Sequence, residues 1–197
     1  MFAPGLLSGR RALITGGGTG LGRAIARRYL QLGARIAICG RRLAVLEETA
    51  AALRAEIPGA DIAVYACDIR DAAAVEAMLD TVFAEGAPDI LVNNAGISPA
   101  APDTLPTADW LAIWEQVMAV NTTAVGILCK EFVDQARIQG NGRIVMISSR
   151  AAFRGDTPDY MAYAASKGAL VSLMRSIARH YGKEGIKAFL IAPGFTR

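Results

Sequence analysis

Short apolar runs alternating with longer stretches of helical periodicity predict an α/β protein, a doubly wound parallel sheet with helices on both faces. Two observations carry this. Six runs are apolar almost without interruption, as strands buried on both faces are: 11–15 (RALIT), 34–39 (ARIAIC), 61–67 (DIAVYAC), 89–94 (DILVNN), 142–148 (GRIVMIS) and 186–192 (IKAFLIA). Between them, 20–32, 41–57, 71–85, 107–139 and 161–182 place apolar residues at helical spacing. With 197 residues, 53% of them hydrophobic, and no linker, repeat or low-complexity segment, residues 1–197 are expected to form a single domain.

The boundaries follow in chain order. The first strand runs into the glycine-rich turn TGGGTGLG (15–22), which opens a helix that Gly33 stops. Pro58-Gly59 ends the second helix, and Asp71 and Thr107 are candidate N-caps for the third and fourth. The fourth pattern, 107–139, is long and reads as one helix with an irregular start at PTADW. Strand–helix alternation of this kind calls for right-handed crossovers, and ligands bind such sheets at the carboxyl ends of the strands.

Composition excludes several functions. A net charge of +3 with no basic run gives no nucleic-acid footprint. Cys39, Cys67 and Cys129 are far apart, and with His180 as the one histidine they offer no metal-ligand spacing. Unpaired cysteines suit a reducing compartment, so a cytoplasmic location is expected. The N-terminus lacks signal-peptide form, and no uninterrupted apolar run approaches the roughly 20 residues that span a bilayer.

The turn at 15–22 has the setting of a nucleotide site: glycines let the backbone approach a pyrophosphate, which then rests on the helix N-terminus. The G-x-G-x-x-G spacing fails at Arg23, and the P-loop fails because Arg23 and Ala24 stand where Lys and Ser/Thr are required. What remains is Gly16-x-x-x-Gly20-x-Gly22 after Thr15. At the end of the second strand a carboxylate would accept the ribose 2′-OH and repel a 2′-phosphate. Gly40 stands there instead, followed by Arg41 and Arg42, which favours NADP over NAD. The competing reading makes these arginines the opening of a solvated helix.

Tyr163 and Lys167 lie four residues apart on a predicted helix and share a face. With five tyrosines and four lysines in the chain, about 0.1 such pairs arise by accident at that helical spacing, so the pair needs context. A phenol of ordinary pKa near 10 exchanges protons poorly at neutral pH, and a neighbouring cation lowers that value. Tyr160 has no lysine four residues on and reads as a pocket wall. His180, late on the last helix, reads as a surface residue favourable to the helix dipole.

Taken together, Thr15-Gly16…Gly20-x-Gly22, Asn93-Asn94-Ala95-Gly96, Asn121 in VNTTA, Ser149 in ISSR, Tyr163-x-x-x-Lys167 and Pro193-Gly194 resemble the short-chain dehydrogenase/reductase family in its own order, from about residue 6 to the end. The resemblance implies a Rossmann-type three-layer sandwich and an oxidoreductase acting on a ketone or secondary alcohol, and it extends to 3-oxoacyl-carrier-protein reductases, hence to an acyl thioester as substrate. It implies that Tyr163 donates the proton, that Lys167 lowers the pKa of Tyr163 and binds the nicotinamide ribose, that Ser149 orients the carbonyl and that Asn121 holds a relay water. Ser148 remains an alternative to Ser149 as the acting hydroxyl. The cofactor set implied is Gly16, Thr19, Gly20, Leu21, Gly22, Arg41, Arg42, Asp68 and Ile69 at the adenosine side. Asn94, Ala95, Gly96, Tyr163, Lys167, Pro193, Gly194 and Thr196 complete it. Residues 97–100 and the stretch from Arg150 to Arg154 are expected to border the substrate, with Arg150 and Arg154 either attracting an acidic carrier or facing solvent. A homodimer or homotetramer is implied by the long fourth and fifth helical stretches, 107–139 and 161–182, the alanines of 161–179 letting such helices approach closely.

The sequence departs from the family pattern at APGFTR, where relatives continue into a substrate loop, a helix and a strand. The expectations are a chain shortened after the sixth strand, and a sixth strand left as an exposed edge. Two other readings compete: a nucleotide-binding protein without catalysis, and a reductase of enoyl or dienoyl thioesters.

Overall fold

In the computed structural model, residues 2–194 are described. Six strands, β1 (Arg11–Thr15), β2 (Arg35–Gly40), β3 (Ile62–Ala66), β4 (Ile90–Asn93), β5 (Gly142–Ile147) and β6 (Ile186–Ile191), form one parallel sheet in the order β3-β2-β1-β4-β5-β6. The order reverses between β1 and β4. A crevice opens there at the carboxyl ends of the strands, because the helices following β1 and β4 leave to opposite sides.

Among the described residues the α-helices are α1 (Gly20–Gln31), α2 (Leu43–Glu56), α3 (Ala72–Ala84), α4 (Thr107–Met118), α5 (Ala124–Gln139), α6 (Ala151–Arg154) and α7 (Met161–Tyr181). Each central strand feeds both cores. In β1, Leu13 faces the cluster formed with α3, α5 and α7, whereas Ala12 and Ile14 face the one formed with α1 and α2. That two-sided burial is why the strands are apolar throughout instead of alternating.

Three expectations need correction. Thr107 is the first helical residue, not the cap; Pro106 holds the N-cap place with extended ψ 142°, and no side chain caps that end. The extended ψ keeps Pro106 itself out of the helix while its carbonyl accepts from the Trp110 N–H at 3.0 Å, so the helix starts one residue earlier than a threonine cap would have it. The long fourth pattern is irregular in its middle, not at its start, because residues Ala119–Thr123 form a π-helical turn between α4 and α5. Finally, α2 begins at Leu43, so Arg41 and Arg42 lie in the preceding turn with Arg42 extended at its cap. Asp71 caps α3 as expected, its carboxylate accepting from the backbone N–H groups of Ala73 (3.0 Å) and Ala74 (3.2 Å).

The helical run 107–139 is long and apolar enough to cross a membrane by length and composition alone, with 33% of its most apolar window buried. Here Val117, Val125, Leu128 and Phe132 from it are buried, the last three in the core shared with β1, β4 and β5. At the far side of the sheet β6 is an edge, and its Phe189 and Ile191 are about half exposed.

Candidate active site

Thr15, the last residue of β1, builds the crevice. Its hydroxyl oxygen accepts from the backbone N–H groups of both Asn94 and Ala95, each at 3.0 Å. The Asn94 side chain returns the contact, donating to the carbonyls of Thr15 (2.9 Å) and Gly16 (3.2 Å). The turn after β1 and the turn after β4 are thereby laced together across the switch point.

The glycines of the first turn allow this lacing. Gly16 and Gly20 adopt φ of +64° and +50°, a region costly for side chains. Gly22 faces the turn so closely that a Cβ there would lie 2.2 Å from the Gly16 carbonyl oxygen and 2.6 Å from Asn94 Nδ2. Thr19, at the N-cap of α1, makes no side-chain capping bond. The free N–H groups of that helix end are therefore available to an anion.

Between these turns lies a groove of about 320 Å³. Gly16, Thr19, Gly20, Leu21, Gly22, Arg41, Arg42, Asp68, Ile69, Asn94, Ala95 and Gly96 all line it, so twelve expected cofactor residues converge on one feature. Glycine backbone without Cβ atoms, an uncapped helix N-terminus and exposed guanidinium groups in one lining fit a dinucleotide phosphate. Asp68 is gripped by Arg70, whose Nη2 lies 2.5 Å from Oδ2 and whose Nε lies 3.0 Å from Oδ1. Those bonds, with a smaller contribution from the Arg41 charge, hold the Asp68 carboxyl below its usual range. Cys39 and Cys67 line the groove floor as buried free thiols, and burial pushes Cys39 up to about 12.

Gly96 and Ile97 belong to the same lining. A Cβ at Gly96 would stand 3.2 Å from Lys167 Nζ and 3.3 Å from Asn121 Oδ1, so two of the four expected catalytic residues lie directly against it. Asn121 sits in the π-helical turn and is fully buried. Its Oδ1 accepts from the Ile97 N–H (2.8 Å), and its Nδ2 donates to the Ile97 carbonyl (2.9 Å) and to Ser166 Oγ (3.0 Å). A π turn aims such a side chain where a regular helix would not, and these turns often occur at functional sites.

Lys167 is 4% exposed and donates from Nζ to the carbonyl of Ile147 at 2.9 Å. Burial pulls its amine down to about 8, within reach of proton exchange near neutrality. Its Nζ lies 5.7 Å from the centroid of the half-buried Tyr163 ring.

The two adjacent serines separate. Ser148 is buried and its hydroxyl donates to the Lys167 carbonyl at 2.9 Å. Ser149 is half-buried, and its Oγ accepts from the Ala151 N–H at 3.2 Å, leaving its own proton free for a substrate oxygen. The geometry thus favours Ser149.

Tyr163, Lys167, Pro193 and Gly194 lie outside the groove's lining, although Pro193 closes the region by accepting from the Arg150 N–H at 3.1 Å. Thr196 lies outside the described residues. His180 is exposed at the end of α7, edge-on to Tyr181. Sequence reading missed the work of Thr15 Oγ1 and of the buried Ser166. Ser166 lies beside Lys167, three residues after Tyr163, a spacing that places it on the same helical face as the tyrosine.

Comparison with known proteins identifies the family. A family model described as short chain dehydrogenase matches residues 10–197. D-threitol dehydrogenase of Mycolicibacterium smegmatis is 37% identical over 191 residues, covering 95% of this chain and 70% of that protein. A Streptomyces violaceoruber protein assigned as ketoacyl reductase 1 of the granaticin polyketide synthase is 35% identical, covering 98% and 70%. Among solved structures, NAD+-bound xylitol dehydrogenase superposes with a TM-score of 0.88 at 32% identity, covering 96% of this chain and 71% of that one. A Beutenbergia cavernae protein assigned as an NAD(P)-dependent gluconate 5-dehydrogenase, holding NADP at low occupancy, gives 0.85 at 34%, covering 98% and 75%. With sheet order, glycine turn and family model all in agreement, the chain belongs to the short-chain dehydrogenase/reductase family, NAD(P)-dependent oxidoreductases of alcohols and ketones.

Proposed function

We propose that this protein is an NADP-preferring oxidoreductase that interconverts a ketone and a secondary alcohol at Ser149, Tyr163 and Lys167. One observation carries the reading: Gly96 of the groove lining packs so closely on Lys167 and Asn121 that a Cβ there would lie 3.2 Å from the Lys167 amine and 3.3 Å from Asn121 Oδ1. When bound, the nicotinamide dinucleotide supplies or accepts the hydride.

The chain's own residues do the rest. Ser149 donates a hydrogen bond to the carbonyl oxygen, where negative charge develops. Tyr163 passes its phenolic proton to that oxygen as the carbon is reduced, and takes it back in the oxidative direction. Lys167, held on the Ile147 carbonyl, keeps its amine 5.7 Å from the centroid of the Tyr163 ring, where it would also bind the nicotinamide ribose. Asn121 has spent both amide protons on Ile97 and Ser166, which leaves a lone pair of Oδ1 for a relay water.

The preference for NADP rests on Arg41 and Arg42 at the groove wall and on the absence of a carboxylate at Gly40. The relatives suggest two substrate classes, sugar alcohols with their keto forms and 3-oxoacyl thioesters. The free, buried cysteines suit a cytoplasmic setting. Exposed apolar positions on α4 and α5, Leu111 and Ile138 among them, suit a homodimer or homotetramer, which light scattering would test against a monomer.

The experiment is a fluorescence titration with NADPH and NADH, followed by turnover assays on acetoacetyl thioester, simple ketones, D-threitol and xylitol. Tighter NADPH binding with turnover of one class supports the reading. Binding without turnover of any member of the panel favours a non-catalytic nucleotide-binding protein.

A further inference from the structure

Ser166 is fully buried inside α7, directly after Ala164 and Ala165. A serine there is a poorer helix former than alanine, and a buried hydroxyl is unfavourable unless both its donor and its acceptor capacity are used. Both are used. Asn121 Nδ2 donates to Ser166 Oγ at 3.0 Å, so the hydroxyl proton is free to point elsewhere, and Ser166 Oγ donates it to the Tyr163 carbonyl at 2.7 Å. Thr122, the next residue of the π-helical turn, donates to the Ser166 carbonyl at 3.4 Å. At its other end Asn121 holds the Ile97 backbone by two bonds, and Ile97 is a wall of the nucleotide groove.

We propose that Ser166 is a positioning residue, whose hydroxyl transmits the placement of the Ile97 groove wall, through Asn121, to the helical turn that carries Tyr163 and Lys167. The proposal rests on the catalytic reading of those two residues. The path contains only two side chains, both buried, and each polar proton along it has a single assigned acceptor. Removing the hydroxyl would leave one Asn121 proton unpaired and free the Tyr163 carbonyl from its second bond. The phenol would then stray from the geometry that proton transfer requires.

The test uses the full chain, with whichever member of the substrate panel turns over fastest with NADPH. Ser166→Ala is expected to lower kcat by about tenfold or more, the scale expected of a small misplacement at a reacting centre. NADPH affinity should stay close to wild type, because Ser166 is not in the groove wall. Asn121→Ala and the Asn121→Ala/Ser166→Ala double variant complete a cycle, in which the losses in kcat should be strongly non-additive because the two residues act in series. A purely structural serine would lower the melting temperature and leave kcat per folded molecule unchanged. That result, or additive losses in the cycle, overturns the proposal. Full turnover by Tyr163→Phe would instead overturn the catalytic reading beneath it.

Discussion

Lys167 Nζ donates to the carbonyl oxygen of Ile147 at 2.9 Å, which anchors the amine of α7 to the last residue of β5. Ser148, next in the chain, answers by donating to the Lys167 carbonyl at the same distance. Strand end and helix are thus joined by two crossed bonds, one through the side chain of the lysine and one to its backbone. The amine is held in place while burial lowers its affinity for a proton.

Because the folded lysine titrates at about 8 against an ordinary 10.5, the unfolded chain binds more protons between those values. Stability therefore rises with pH across that window, by roughly 3 kcal/mol if the whole difference is expressed. Lys167→Met lacks this rise. Its stability relative to wild type should be highest at or below pH 8 and decline toward pH 10.5, as read from urea unfolding at several pH values. An offset that stays flat with pH would show that burial does not depress this amine.

The two serines predict opposite phenotypes. Ser149→Ala should lose turnover by about a hundredfold or more, the usual scale for removing a donor to a developing oxyanion, with little change in melting temperature. Ser148→Ala removes a buried donor and leaves the Lys167 carbonyl with one bond fewer, which should cost about 1–3 kcal/mol of stability. Thermal melts and steady-state kinetics on both variants check this.

Gly22→Ala places a methyl group 2.2 Å from the Gly16 carbonyl oxygen, a contact that only backbone movement relieves. Overpacking of this kind typically costs about 1–3 kcal/mol. Here the movement also opens the phosphate-binding turn, so cofactor affinity should fall along with the melting temperature. Calorimetric titration with NADPH reads both the loss and any residual binding.

Replacing Arg41 and Arg42 together by alanine should weaken NADPH binding by at least tenfold, equivalent to about 1.4 kcal/mol, and leave NADH binding nearly unchanged. Parallel fluorescence titrations measure the ratio. An equal effect on both cofactors would mean that the arginines do not read the 2′-phosphate.

The sheet was legible in the sequence because β1, β2 and β4 are buried on both faces, and continuous apolar runs such as the ILV of β4 allow little else. The groove was legible because glycines at a strand–helix junction have few other uses. What escaped was set by packing. No residue type marks the extra residue of the π-helical turn at Ala119–Thr123, although that turn aims Asn121. Ser148 and Ser149 are chemically identical in the sequence and differ in strand parity. Ile144 and Met146 face the core beneath α7, and Ser148 continues that face. Ser166 was hidden by its plainness, since its role exists only where α7 meets the π-helical turn.

The central claim is that Tyr163, whose ring centroid lies 5.7 Å from Lys167 Nζ, is the proton donor. Tyr163→Phe removes one hydroxyl and little contact area, and Tyr160→Phe serves as a control. The decisive measurement is turnover and NADPH affinity of both variants side by side. Proton transfer by a placed side chain is worth about 10²–10⁴-fold, so Tyr163→Phe should lose at least that much turnover with its NADPH affinity intact, while Tyr160→Phe stays active. A Tyr163→Phe protein that keeps most of its activity would contradict the account.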